Sequence, residues 1–425
     1  MKICFVIDAR SPHARNWIRY FVQMNHEVHV ISSYPISPES LEGTSLYMVP
    51  LTFFDLVRFN KGTKSASEPQ GNSLTAAYLQ NSWISKLIYN NALFIAAMFF
   101  RYWITSIEIF RYTNTICKLI EEIQPDIIHA MRIPFEGILA AKATPSGLPV
   151  LISVWGNDFT LFAKRYPLIG WQTKQTMQRA DALHCDCQRD LRLAKIWGFK
   201  PDKPAIVLPS AGGIQTSIFY PGPISGTLRE ELRIPDDASV VINPRGFRGY
   251  VRNDIFFRAI RLVLEQRPNV VFLCSAMEGN PMAERWVRSL NISHAVRLLP
   301  IVPRDHMADF FRLAQVTVSP SVHDGTPNTL LEAMACGCFP VAGDIESIRE
   351  WITDGVNGLL CDPTDPQSLA RAILRALDDT DLRYRAREHN LKLIAERAEY
   401  GKVMAQAEQF YYQIVEYALS KRKRN

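Results

Sequence analysis

The residues best placed for chemistry stand at 316–363, in VTVSPSVHDGTPNTLLEAMACGCFPVAGDIESIREWITDGVNGLLCDP. A strand is expected to end near Ser319-Pro320, and the loop after it carries His323, Asp324 and Gly325. Pro327 suits a first helical turn, where its missing N–H costs nothing. The helix then offers backbone N–H groups near Gly325, Thr326 and Asn328, an anion site made of amides and helix dipole. Glu332 sits about one turn further in. Asp324 and Glu332 therefore bracket that site with two hydrogen-bond acceptors. A ligand with a phosphate flanked by hydroxyl-rich groups fits, as in a nucleotide sugar. The other readings are a solvent-facing helical acid for Glu332 and a turn or N-cap for Asp324. A second cluster, Arg245, Arg248 and Arg252, follows the strand expected at 239–243. Past a strand end, guanidinium groups would meet an anionic ligand, often through two bonds each.

On these residues the sequence resembles the family-4 retaining glycosyltransferases. Their hallmark is a Glu, seven residues, a second Glu, then Ala-Met-Ala-x-Gly and a Pro-Val strand. Here Asp324, seven residues and Glu332 are followed by Ala333-Met334-Ala335-Cys336-Gly337 and Pro340-Val341. Glu350, Gly355, Asn357-Gly358-Leu359 and Pro363 fall in the same order. The resemblance implies an α/β protein of GT-B architecture, two facing Rossmann-like doubly wound domains with an interdomain cleft. It implies that Glu332 accepts from the donor ribose and that Asp324 holds the donor sugar, with Asp where Glu is usual. Arg245 matches the family's phosphate-binding Arg. Arg252 is the nearest equivalent of the family's Lys, displaced by one position, and Arg248 competes with it. Gly325, Thr326, Pro327 and Asn328 would line the phosphate.

In the first half, four places stand out, three of them by the resemblance and His129 by its place at a strand end. Trp155 stands before Gly156 where many members have a His, and Asn157 and Asp158 follow. Asp158 is the choice for acceptor or sugar hydroxyls, with a helix N-cap as the equal alternative. The loop 8–15 has no glycine and offers His13. His129, with Arg132 and Glu136 nearby, is a further candidate. Gln215 stands in the interdomain turn where Asp is common.

The expected activity is transfer of a sugar from a nucleotide diphosphate-sugar to a carbohydrate or lipid-linked acceptor hydroxyl, with retention, as in glycan, glycolipid or polysaccharide synthesis. The arginines and the helix dipole would stand in for a metal, so neither metal nor cofactor is expected. The rivals are a phosphorylase or epimerase of the same architecture, and a non-catalytic sugar- or nucleotide-binding member.

These residues must be carried by elements, and the elements alternate. Apolar runs at 3–7, 28–32, 126–130, 150–154 and 182–185 alternate with helical stretches, the first at 12–24. The rhythm repeats with strands at 239–243, 269–274, 296–300, 316–320, 339–342 and 358–361. Helices fall between them near 254–266, 281–290, 305–314, 328–336, 345–352 and 366–376. Alternation of this kind implies parallel sheets with helical crossovers. The Gly-, Pro- and Ser-rich stretch 209–226 reads as the junction. The expected domains are 1–215 for the acceptor, 216–400 for the donor, and 401–425, a helix crossing back with a basic tail.

Composition sets the bounds. The chain has 425 residues, 47% hydrophobic and 21% charged, too apolar for disorder. A net charge of +6 does not indicate nucleic acid. The eight cysteines lack zinc-site spacing and read as reduced core thiols of a cytoplasmic chain. Met1-Lys2 runs directly into a strand, without signal-peptide character. The loop 61–75 reads as exposed. The segment 83–112 is the most apolar and too short to span a bilayer. It reads as a core helix, or as a helix in the membrane interface supported by the tail 421–424.

Overall fold

The computed structural model describes residues 1–49, 109–224 and 226–422. The loop 61–75, nearly all of the segment 83–112 and the last three residues lie outside them. The chain divides into two compact units, 1–212 with 404–425, and 213–403.

The first unit is built on a seven-stranded parallel sheet in the order β3-β2-β1-β4-β5-β6-β7. Its strands are β1 (Lys2–Ile7), β2 (Glu27–Ser32), β3 (Thr44–Met48), β4 (Ile127–Met131), β5 (Val150–Val154), β6 (Ala182–Cys185) and β7 (Ala205–Val207). The inner strands β4, β5 and β6 are buried throughout, which explains their nearly unbroken apolar character. The edge strands β3 and β7 are half-exposed and less apolar, and hydrophobic runs did not reveal them.

Two buried histidines cross this core. His184 Nε2 lies 2.9 Å from the carbonyl of Leu208, so it must carry the proton. Its Nδ1 then accepts from Ser153 Oγ at 2.8 Å, and Ser153 Oγ accepts in turn from His129 Nε2 at 2.7 Å. That leaves His129 Nδ1 as acceptor for the Tyr411 hydroxyl. One donor direction satisfies the whole chain. Burial holds His129 well below its ordinary pKa and His184 at about 4, so both are neutral. His129 is thus a core residue, a correction to its reading as a site candidate.

The helix bearing Tyr411, Tyr400–Arg422, belongs to the first unit from Met404 onward. Glu408 accepts from Tyr20 at 3.0 Å and pairs with His26 at 2.8 Å. At its end, Arg422 Nε donates to the Gly147 carbonyl at 3.0 Å.

The second unit has a six-stranded parallel sheet in the order β10-β9-β8-β11-β12-β13. Its strands are β8 (Ser239–Asn243), β9 (Val270–Cys274), β10 (Val296–Leu298), β11 (Val316–Ser319), β12 (Phe339–Gly343) and β13 (Leu359–Cys361). The helices Asn253–Gln266 and Pro366–Asp378 share one apolar cluster with β8, β9 and β12; Arg304–Leu313 and Asn328–Ala335 share another. The helix expected at 345–352 is instead a series of turns, such as Ile348 N to Ile345 O at 3.0 Å. Tertiary bonds win there: Ser347 Oγ donates to the Asp324 carbonyl at 2.7 Å and Trp351 Nε1 to Thr326 Oγ1 at 3.1 Å.

The Asn357-Gly358 part of the motif is structural. Asn357 accepts from Thr353 N at 2.7 Å and donates to Trp351 O and to Asn390 Oδ1, each at 2.9 Å. A Cβ on Gly358 would lie 2.9 Å from the Pro340 carbonyl. All cysteines are free and all but Cys117 are buried. No helix among the described residues is long and apolar enough to cross a membrane.

Candidate functional site

The second unit assembles its site from two loops pinned to each other. The loop after β8 is held by a buried amide pair. Asn243 Nδ2 donates to Asn253 Oδ1 at 3.1 Å, and Asn253 Nδ2 to the Gly246 carbonyl at 3.0 Å. Asn243 Oδ1 accepts from Arg245 N at 3.1 Å, fixing where that side chain starts. Gly246 takes φ +62 at the turn, a left-handed conformation suited to glycine. The loop is then tied to the one after β11: Val322 N donates to Tyr250 O at 3.0 Å and Arg252 N to Pro320 O at 3.1 Å.

This brings Arg245 onto Asp324. Arg245 Nη2 lies 2.6 Å from Asp324 Oδ2, with each side chain about one-tenth exposed. Arg245 Nη1 reaches Thr329 Oγ1 at 3.4 Å, in the first turn of the helix Asn328–Ala335. Burial weighs most against the guanidinium charge, but Asp324, Tyr250 and Glu332 together raise its pKa. Asp324 Oδ1 also accepts from Gly325 N at 3.1 Å. Pro327 stands one residue before the helix (φ −76, ψ 108), a correction to its placement in the first turn. It gives the helix no side-chain cap. Thr326 and Gly325 are buried beside it.

Glu332 lies one turn into the helix, largely buried. Its Oε1 is 3.2 Å from Arg304 Nη2. Burial raises its pKa, while Arg304 and Arg245 oppose the rise. Arg304 begins the helix Arg304–Leu313 and is the charged residue that sequence reasoning missed. Nothing in the local spacing marked it.

The structure thus gathers Arg245, Asp324, Gly325, Thr326, Asn328 and Glu332. It does not gather Arg252 with them through any bond. Arg252 pairs with Asp254 at 2.8 and 2.7 Å, and that hydrogen bond raises its pKa. Arg248 is exposed, with its Nε 3.3 Å from the Arg245 carbonyl.

In the first unit a second cluster lies past the carboxyl ends of β1, β2, β4 and β5. Asp8 takes Arg10 in two bonds of 3.0 Å, and the Arg10 guanidinium lies 3.5 Å over the Tyr34 ring. Ser33 Oγ donates to Glu136 Oε1 at 2.5 Å. Burial pushes Glu136 up to about 7. The His13 and Trp155 rings stand 5.4 Å apart. Arg132, at φ +110, lies 4.8 Å over the Phe162 ring.

Asp158 requires a correction. Its side chain is fully buried, and its Oδ2 accepts from Ile133 N at 3.0 Å and Trp155 N at 3.1 Å. Oδ1 lies 3.5 Å from Arg132 Nε. Burial pushes the carboxyl up to about 6, against Arg132. It joins the loops after β4 and β5 and presents no surface to an acceptor. Among the described residues no group of acidic, His and Cys side chains has the arrangement of a metal site.

Comparison with known proteins gives a consistent result. The family described as glycosyl transferases group 1 matches residues 225–392, and glycosyl transferase 4-like matches 2–67 and 85–186. The D-inositol 3-phosphate glycosyltransferase of Streptosporangium roseum is 30% identical over 213 residues, 48% of this chain and 48% of that protein. That of Acidothermus cellulolyticus is 32% identical over 197 residues, covering 44% and 43%. The chain spans about half the length of the curated relatives it matches. Among solved structures, sucrose-phosphate synthase from Thermosynechococcus elongatus has a TM-score of 0.73 at 15% identity, covering 98% of this chain and 100% of that one. Anabaena HepE, solved in complex with UDP-glucose, has 0.67 at 14% identity, covering 99% and 100%. At such identities the likeness shows the fold, two Rossmann-like α/β domains of the GT-B class.

Proposed function

This chain belongs to the group 1 glycosyltransferases, and from that premise we propose that it moves a sugar from a nucleoside diphosphate-sugar to an acceptor hydroxyl, with retention at the anomeric carbon. The observation that carries the reading is the Arg245–Asp324 pair at the amino end of the helix bearing Glu332. A pyrophosphate there would meet the guanidinium and the first-turn amides, which stabilise the charge developing on the leaving phosphate. It would compete with Asp324 for Arg245, turning the Asp324 carboxylate to the sugar hydroxyls. Glu332 would accept from the ribose. The UDP-glucose bound by the HepE neighbour supports a donor of this class.

The guanidinium and helix supply the positive charge, so the reading assigns no step to a metal. Arg252 and Arg248 serve as outer contacts on the same loop. The acceptor is a carbohydrate or lipid-linked alcohol, the compartment cytoplasmic, and any membrane contact would run through 83–112, outside the described residues except for its end.

The test is release of nucleoside diphosphate from a panel of donor sugars, with and without acceptor. Glu332→Ala and Arg245→Ala should each lower turnover by roughly a hundredfold or more, with circular dichroism unchanged. Normal turnover by both variants would place the donor elsewhere. Release that needs no acceptor would favour another reaction of the same architecture.

A further inference from the structure

We propose that Arg304 is a positioning residue for the donor: it clamps the Glu332 carboxylate in place and in its ionised form, a role that rests on the reading of Glu332 as a donor contact. Three contacts define the clamp. Arg304 Nη2 lies 3.2 Å from Glu332 Oε1, Arg304 Nη1 donates to Gln215 Oε1 at 3.0 Å, and the guanidinium lies 5.2 Å over the Phe219 ring. Gln215 and Phe219 belong to one turn, closed by Phe219 N to Gln215 O at 2.9 Å. Phe219 is fully buried, so the turn is a fixed abutment.

The chemistry of the two anchors differs from that of Glu332. Gln215 is uncharged and Phe219 offers only a ring face. Both orient the guanidinium without neutralising it, and the formal charge is left to Glu332. The charged and titratable groups set around Glu332 are Arg304 from the neighbouring helix, Arg245 from the loop after β8, and the Cys336 thiol just past the end of its own helix. Arg245 is already paired with Asp324. Arg304 is therefore the cation that most opposes the effect of burial on this carboxylate, ahead of Arg245. A carboxylate accepts hydrogen bonds from two hydroxyls far better than a neutral acid does. Removal of the cation takes away the contribution that most opposes burial, so the carboxyl's pKa rises further.

The experiment uses the full chain and the variants Arg304→Gln, Arg304→Lys, Glu332→Gln and the double variant Arg304→Gln/Glu332→Gln. UDP, GDP and ADP are titrated calorimetrically from about pH 6 to about pH 8, and the diphosphate that the unmodified chain binds most tightly is used throughout. Affinities are compared as ratios to the unmodified chain, which cancels the titration of the nucleotide. Arg304→Gln should bind within about threefold at the alkaline end and lose roughly a further tenfold at the acid end, the span of one pH unit of unmet ionisation. Arg304→Lys, which keeps the charge, should show no added pH dependence. Glu332→Gln should bind weakly at every pH, and adding Arg304→Gln to it should bring no new pH dependence. A ratio for Arg304→Gln that is flat with pH would overturn the clamp while leaving Glu332 as a donor contact. If Glu332→Gln binds like the unmodified chain, or if that chain binds none of the three, the donor reading itself falls, and the clamp with it.

Discussion

At the scale of single residues, the Arg245–Asp324 pair makes one group serve two purposes. Without a donor, Asp324 neutralises a largely buried guanidinium. Asp324→Asn should leave that charge uncompensated and lower stability by about 3 kcal/mol, measured by denaturant unfolding. The same change should tighten the free nucleoside diphosphate while slowing transfer, because Arg245 is released but the sugar contact is lost. Slower transfer with weaker diphosphate binding would contradict the competition between carboxylate and phosphate. Glu136 gives a second prediction. Its folded pKa of about 7 lies above the ordinary 4.5, so the folded state holds its proton longer than the unfolded chain does. Its contribution is fully present below the ordinary value and is lost as pH rises through about 7. Glu136→Gln keeps an acceptor for Ser33 and should flatten that decline, with a gain of up to about 3 kcal/mol at alkaline pH. Thermal unfolding across the range would check it, and an unchanged slope would count against a protonated Glu136.

At the scale of elements, the site depends on polar side chains that touch no ligand. Asn243 and Asn253 hold the loop that aims Arg245. Asn253→Ala should cost about 1–3 kcal/mol through unmet buried partners. It should also raise the donor KM more than a surface change of equal stability cost, a comparison that steady-state kinetics can make. Much of the site could be read in the sequence because it is local. Strand end, loop and helix start follow one another between Val316 and Glu332, and each leaves its own residue signature. The partners from far along the chain could not be read in this way. Arg304 meets Glu332 only because two helices pack, and Ser347 and Trp351 turn inward only because the 324–326 loop needs their bonds. The same long-range demand replaces the helix expected at 345–352 by turns. Asp158 shows the opposite case: an acid in a plausible loop whose hydrogen bonds go to the backbone beside it and whose remaining oxygen faces Arg132.

At the scale of the molecule, each unit is a sheet with its own core, and the last helix belongs to the first from Met404 onward. The alternation of strands and helices carried this plan. Only edge strands such as β3 and β7 were too short or too polar to show it. The chain from Tyr411 to Leu208 ties the terminal helix to the middle of the first sheet. Tyr411→Phe leaves His129 Nδ1 without its donor and should lower stability by about 1–3 kcal/mol. Hydrogen exchange by mass spectrometry should show that loss in peptides from 1–212 and none in those from 213–403. Equal loss in both would mean that the two units unfold as one. The burial of every thiol but one has a practical outcome. In the folded protein, a maleimide dye should attach once, at Cys117, without any engineered substitution. The native chain therefore supplies its own single-site fluorescent reporter on the first unit.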